Sequence, residues 1–370
     1  MKTGERCLVG TRKGLFVMAG KKGKLRVEHV AFLGVPVSMV LADPRNGAIY
    51  AAVKHGHFGS KIHRSTDGGA TFEELPAPTY PPKPEGFVDK CPFRGIDRPW
   101  SLDLIWSLEI GAEPGELWCG TIPGGLFRSR DSGSSWTLNR PLWDHPSRVA
   151  KWAGGGYDFP GIHSIAVDPR DRRRFHVGVS CGGVWLTEDG GETWSLRTEG
   201  MVAEHAPPEQ ARQGDIQDPH RLALCDAHPD TMWCQHHTTA YRTTDGGKQW
   251  TELTALAPSR FGFAVACCPN DPKTAWFVPA VKDEARIPVD GKVVVARTTD
   301  GGESFQVFSK GLPQEHAYDL VYRHGLDVDD AGGALAMGST TGSLWTSVDG
   351  GESWEAVNRH LPPIYCVRFG

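Results

Sequence analysis

One eight-residue phrase occurs six times in this chain and constrains its fold more than any other feature. It reads Ser/Thr, any residue, Asp, any residue, Gly, two further residues, then Trp or Phe. The copies run 65–72, 129–136, 187–194, 243–250, 298–305 and 347–354, with Asp67, Asp131, Asp189, Asp245, Asp300 and Asp349 in third place. Successive aspartates stand 64, 58, 56, 55 and 49 residues apart. A period of that size means an array of similar units, not one irregular core.

Asp-x-Gly is turn chemistry. The carboxylate is expected to accept bonds from backbone N–H groups two or three residues on, and the Gly takes a positive φ without steric cost. The Ser/Thr hydroxyl ties the incoming strand to the turn, and the closing aromatic buries a large ring beside the hairpin. Six equivalent aspartates cannot all be nucleophiles, so these six are read as structural.

The flanks repeat as well. A strand ending at a Gly turn precedes each phrase, as in Trp118–Thr121 followed by Gly125–Phe127. Upstream of that lies a strand ending in Asp-Pro or a near variant, as at 38–44, 106–114, 163–169 and 263–269. Each unit is therefore four short strands, A to D, with the phrase at the C–D hairpin. A seventh unit is split: 8–11, 14–17 and 25–30 supply strands B, C and D, and 364–369 supplies strand A. The prediction is an all-β, seven-bladed propeller of four-stranded antiparallel blades. One propeller spans 1–370, and its closing blade is made of 6–33 plus 364–370, which removes an open edge.

Composition narrows the function. A net charge of −4 gives no basic footprint for nucleic acid. No segment reaches the ~18 apolar residues of a membrane span, and the first residues lack an apolar signal region. Nine cysteines is an odd number, and Cys119, Cys181 and Cys234 are read as equivalent strand positions that do not pair. A reduced, cytoplasmic protein is expected.

The repeated phrase resembles the Asp-box (BNR) repeat of sialidases, other glycoside hydrolases and lectin-like propellers. The resemblance covers six of the seven units and implies a propeller whose boxes lie on hairpins away from the binding face. Architecture alone does not identify an activity. Sialidases are six-bladed and carry Phe/Tyr-Arg-Ile-Pro ahead of their boxes. Here Arg286-Ile287-Pro288 follows Ala285 and falls between the fourth and fifth boxes, and Gly95 interrupts Phe93-Arg94-Gly95-Ile96. Strict sialidase activity is not expected. Seven-bladed Asp-box propellers also occur in xyloglucan-type glycosidases, where two propellers form the cleft, and in photosystem assembly factors, which are binding proteins.

A site is expected on the face opposite the boxes, where the D–A and B–C connections gather. Long insertions fall at 76–101, which holds seven prolines, at 139–161 and at 198–218. The positions opening the innermost strands read Ser38, Trp106, His163, His220, Gly262, Tyr318 and Tyr365. With the loops they predict a funnel lined by His55, His57, Arg94, Arg98, Trp106, Trp143, His145, Arg148, His163, His220, Arg221, His236, His237, Arg286 and Tyr318. Aromatic faces stack on sugar rings, and His and Arg bond hydroxyls or carboxylates.

Three functions follow as alternatives. A glycoside hydrolase needs two carboxyl groups about 5–5.5 Å or about 6.5–9.5 Å apart, unless a Tyr is the nucleophile. Asp97, Asp144, Asp158 and Tyr365 are the catalytic candidates, with Asp218, Asp283 and Glu284 also borne on loops. A non-catalytic module would bind a glycan, another small ligand or a protein in the same funnel. A metal is the third alternative: imidazoles such as His55, His57 and His236 could converge on a cation, although their spacing matches no zinc signature. No cofactor, nucleic acid or membrane partner is expected.

Overall fold

The computed structural model describes residues 3–21, 23–204 and 206–370. Its strands form seven antiparallel sheets of four. Blades two to seven follow in chain order over 37–75, 104–138, 162–196, 219–252, 262–308 and 326–358. The first blade takes Arg6–Thr11, Gly14–Ala19 and Arg26–Ala31 from one end of the chain and Ile364–Phe369 from the other. In that blade Cys7 pairs with Phe369 and Val9 with Val367. The closure expected from the sequence is present.

Strand Leu117–Ile122 shows how sequence becomes a blade. Side chains alternate across a strand, so Leu117 and Cys119 pack toward the second blade and Trp118 toward the fourth. The same division holds around the ring. The seven largest buried clusters occupy the seven gaps between neighbouring blades, one in each. No blade completes a core without its neighbours, as in other repeat arrays.

The six repeated turns share one hydrogen-bond pattern. Ser65 Oγ donates to Asp67 Oδ1 (2.7 Å) and accepts from the Gly69 N–H (2.8 Å). Asp67 accepts from the N–H and the hydroxyl of Thr71, four residues on (2.9 and 2.6 Å). Asp131, Asp189, Asp300 and Asp349 repeat this, and Asp245 lacks only the hydroxyl because Gln249 stands there. The carboxylate therefore reaches further along the chain than the two or three residues expected. In five blades the residue after this Asp donates its N–H to the A–B turn of its own blade, as Gly190 does to Arg173 (2.9 Å) and Gly246 to Asp230 (2.9 Å). These turns and the A–B turns thus share one face, and the D–A and B–C connections share the other.

The proline-rich connection at 76–101 is fastened down rather than draped. Tyr80 is buried with its hydroxyl on Thr121 Oγ1 (2.6 Å) and the Gly125 N–H (2.9 Å). Asp89 is fully buried and accepts from Arg98, Arg148 (3.0 Å) and Trp100 Nε1 (2.8 Å), locking this connection to 139–161. All nine cysteines are buried and unpaired with one another. The equivalence assigned to three of them needs correction. Cys119 and Cys234 lie on B strands, whereas Cys181 lies past Phe175–Val179 in the following turn, at φ 46°. No helix among the described residues is long and apolar enough to cross a membrane.

Candidate functional site

Every inner strand ends in the same bond. The N–H of Asp43, Gly111, Asp168, Cys225, Cys268, Asp329 or Gly370 donates across the end of its A–B pair at 2.8–3.3 Å. Five residues earlier, at the opposite end of the channel, stand Ser38, Trp106, His163, His220, Phe263, His324 and Tyr365. In six blades the A–B ladder shifts register there. Such a bulge leaves its residue out of the ladder and re-aims the side chain, so the mouth of the channel carries a ring of them.

The structure corrects two positions of this ring. Phe263 and His324 stand where the sequence register offers Gly262 and Tyr318, and Tyr318 lies exposed in the 309–325 connection. The seventh inner strand ends Asp329-Asp330 with no proline, so the Asp-Pro marker that registers its neighbours is missing. Arg323, beside His324, was missed with it.

Arg323 is buried, and its guanidinium carbon lies 4.8 Å from the Trp106 ring centre and 5.2 Å from that of Phe263. Its Nε has no hydrogen-bond partner. Trp106 also meets Tyr157 edge-on at 5.0 Å and His163 at 5.6 Å, and Phe263 stacks on His220 at 4.5 Å. A buried aromatic and cationic cluster thus runs beneath the mouth from the third to the seventh blade, and Tyr157 is its exposed member.

Beside it three titratable groups converge. Asp218 directly precedes the fifth inner strand, Pro219–Leu224. Its Oδ1 accepts from the Cys181 N–H (3.0 Å) and Ser180 Oγ (3.3 Å), and its own N–H donates to His236 Nε2 (3.1 Å). Its Oδ2 lies 3.2 Å from His237 Nδ1 and 3.6 Å from His220 Nε2, and those two nitrogens are 3.3 Å apart. His220 Nδ1 lies 2.7 Å from the Gly262 carbonyl oxygen, so it donates there and leaves the Nε2 lone pair facing the cluster.

The charges sort accordingly. Burial alone would raise the Asp218 pKa, but the two imidazoles outweigh it and hold the carboxyl well below the usual range. Burial opposes protonation of His237, yet Asp218 raises its pKa overall. Burial, then Arg323, push His220 and His163 down. The aspartate thus favours protonation of His237 and burial disfavours it at His220.

The other sequence candidates are dispersed. Asp158 pairs with Arg94, and Asp144 lies 2.7 Å from Arg140; both acids are exposed. Asp97 is exposed, 3.9 Å from Lys83. Arg98, Arg148 and Trp143 belong to the buried Asp89 network, with Arg148 3.9 Å over the Trp143 ring. His145 caps the short helix Pro146–Ala150 and meets Trp185 at 4.6 Å. His55 and His57 are exposed on the second blade's B–C connection. Arg286 pairs with Asp283 and lies 5.3 Å over the Phe263 ring at the mouth. Tyr365 is in the bulge ring, and burial raises its phenol pKa. Among the described residues one group of three ligand-type side chains comes within coordinating range, Asp218, His220 and His237, rather than His55, His57 and His236.

Arg221 points elsewhere. It lines a cavity of about 440 Å³ at the other end of the channel, among the A–B turns, with Glu109, Asp327 and Arg368. Arg6 and Arg172 also line it, with Asp43, Asp226 and Asp330, so charges of both signs stand among its aliphatic side chains. This cavity belongs to the A–B-turn end; the Asp218, His220 and His237 group and the long connections belong to the mouth.

No protein-family model matches the chain. It is 25% identical over 306 residues to an oligoxyloglucan-reducing end-specific xyloglucanase of Emericella nidulans, covering 81% of this chain and 31% of that protein. A probable enzyme of the same description from Neosartorya fischeri is 24% identical over 287 residues, covering 70% and 32%. The chain thus spans about a third of the length of the curated relatives it matches. Among solved structures, the GH74 xyloglucanase of Xanthomonas campestris superposes with a TM-score of 0.66 at 17% identity, over 95% of this chain and 52% of that one, which is a likeness of fold.

Proposed function

We propose that this chain is a glycan-acting propeller that takes a carbohydrate at the mouth opposite the six repeated turns. The observation that carries this is the exposed Tyr157 ring, packed edge-on against Trp106 at 5.0 Å, on the same face as the Asp218–His237 pair. Aromatic faces receive the apolar face of a sugar, and a few convergent polar groups orient it. The likeness to xyloglucanases supports a polysaccharide or oligosaccharide ligand. In this reading His237 carries the proton and Asp218 holds it in place.

A second reading, binding without hydrolysis, is favoured by the remaining carboxylates. Asp158 and Asp283 are each paired with an arginine, and Asp103 with Lys54 (2.7 Å), so none of these three is the free second carboxylate of the usual glycosidase pair. The discriminating experiment presents xyloglucan oligosaccharides and a broad panel of glycosides to the wild type, Tyr157→Ala and Asp218→Asn. Turnover lost in Asp218→Asn supports the enzyme. Binding that needs Tyr157 but produces no cleavage supports the binding module. Neither binding nor turnover with any glycan removes the carbohydrate reading.

A further inference from the structure

We propose that Asp218, His220 and His237 form a mononuclear binding site for a zinc-class divalent cation, with a fourth coordination position open toward the mouth. The proposal concerns the same Asp218–His237 pair as the glycan reading, a bound cation taking the place of the His237 proton, and it rests on the triangle of ligand atoms. Its edges are 3.2, 3.3 and 3.6 Å. A tetrahedral ion with bonds of about 2.0–2.1 Å has ligand–ligand edges of about 3.3 Å. An octahedral set with bonds of the same length has edges of about 2.9 Å. The observed triangle has the tetrahedral size.

Hydrogen placement leads to the same conclusion. The Gly262 carbonyl accepts the Nδ1 hydrogen of His220, so neutral His220 presents a lone pair at Nε2. Asp218 Oδ2 presents another. The one hydrogen between them is that of His237 Nδ1, and it cannot satisfy both neighbours at full strength. A cation at the centre satisfies all three lone pairs once His237 releases that proton to solvent.

The surroundings match an outer ligand shell. Metal-bound histidines commonly donate their second N–H to a backbone carbonyl, which fixes tautomer and ring orientation; His220 does this with Gly262. The other oxygen of Asp218 is fixed by Cys181 N–H and Ser180 Oγ, leaving Oδ2 directed at the two imidazoles. Gly155 leaves room beside this oxygen. A Cβ added there would lie 3.4 Å from Asp218 Oδ2 and 2.7 Å from Ser180 Oγ. With one carboxylate and two neutral imidazoles as ligands, the bound ion keeps a net positive charge. Arg323 lies 5.2 Å over the Phe263 ring that stacks on His220, which adds positive charge nearby, so the open position favours an anionic oxygen: hydroxide, or a carboxylate or phosphate of a substrate.

The test uses the full chain, stripped with chelator, dialysed, and titrated separately with Zn²⁺ and Co²⁺. The expected result is one ion per chain by elemental analysis, a rise in melting temperature with added Zn²⁺, and the intense visible bands of four-coordinate cobalt. His237→Ala should keep the wild-type circular dichroism, lose the cobalt bands and bind Zn²⁺ roughly 100-fold more weakly or worse. His55→Ala should change nothing. Folded wild type that takes up no zinc above background overturns the proposal. So does folded His237→Ala that retains wild-type stoichiometry and the cobalt spectrum.

Discussion

The guanidinium of Arg323 is held between the rings of Trp106 and Phe263, joining the seventh blade to the third and the sixth across the channel mouth. Burial lowers its pKa, and its Nε has no acceptor. A charge held in this way costs stability that two aromatic faces only partly return. Arg323→Met should therefore leave the fold unchanged or stabilise it by up to about 2 kcal/mol, while weakening ligand capture at the mouth. Denaturant unfolding beside a glycan-binding assay checks both parts. A loss of more than about 1 kcal/mol in stability would mean the arginine serves the scaffold.

Asp218→Asn removes the anion from a buried pair and leaves a protonated imidazole beside a neutral amide. The expected cost is about 3–5 kcal/mol, with the His237 pKa dropping from above to below its ordinary value of 6.5. Urea melts give the first quantity and imidazole proton shifts in a pH titration give the second. An unchanged His237 titration would show that Asp218 does not set its charge.

Four histidines make the ring sensitive to acid. Burial holds His163, His176, His220 and His324 below 6.5, His176 at about 4. The unfolded chain takes up protons at 6.5 and the folded chain does not, so stability falls as pH drops below 6.5 and continues to fall until the folded groups titrate. His176 alone is worth about 3 kcal/mol by pH 4. His237 works in the opposite sense: its contribution is full below 6.5 and is lost as pH rises through its raised value. Melting temperature should thus fall steeply between pH 6.5 and 4, and His176→Gln should flatten that slope. A flat profile from 7 to 4.5 would contradict the burial of these rings.

Removing 364–370 takes the innermost strand from the first blade and uncovers the inner edge of Arg6–Thr11. The truncated chain should aggregate or fail to melt cooperatively. Light scattering and calorimetry decide, and a soluble truncation with a sharp transition would refute the latch.

The fold was legible because its signals are local. The six Asp turns, the Gly turns before them and the odd strand at 364–369 each act within a few residues, and together they specified blades, count and closure. The mouth was only partly legible. Trp106, His163, His220 and Tyr365 could be placed from Asp-Pro, from its near variants Glu113-Pro114 and His228-Pro229, or from the last strand, but Arg323 and His324 precede an Asp-Asp and left no marker. Asp218 was visible only as one loop acid among several. Its distinction comes from Ser180 and Cys181 of the neighbouring blade, some 38 residues away in sequence. Arg98 and Arg148 looked like ligand-binding cations because Asp89, the group that neutralises both, carries no motif.

The latch of the first blade has a further consequence. Gly370 N–H meets the Arg6 carbonyl at 3.3 Å, the bond that in the other six blades spans a continuous A–B turn. In the fourth blade that turn takes five residues, between Asp168 and Arg174. A peptide of that length from Gly370 to Arg6 would make the backbone circular without disturbing a single sheet. Once it is circular, no blade is first. Any D–A connection becomes a place where the chain could be reopened, and a family of circular permutants would measure which gap between blades holds the ring together most firmly.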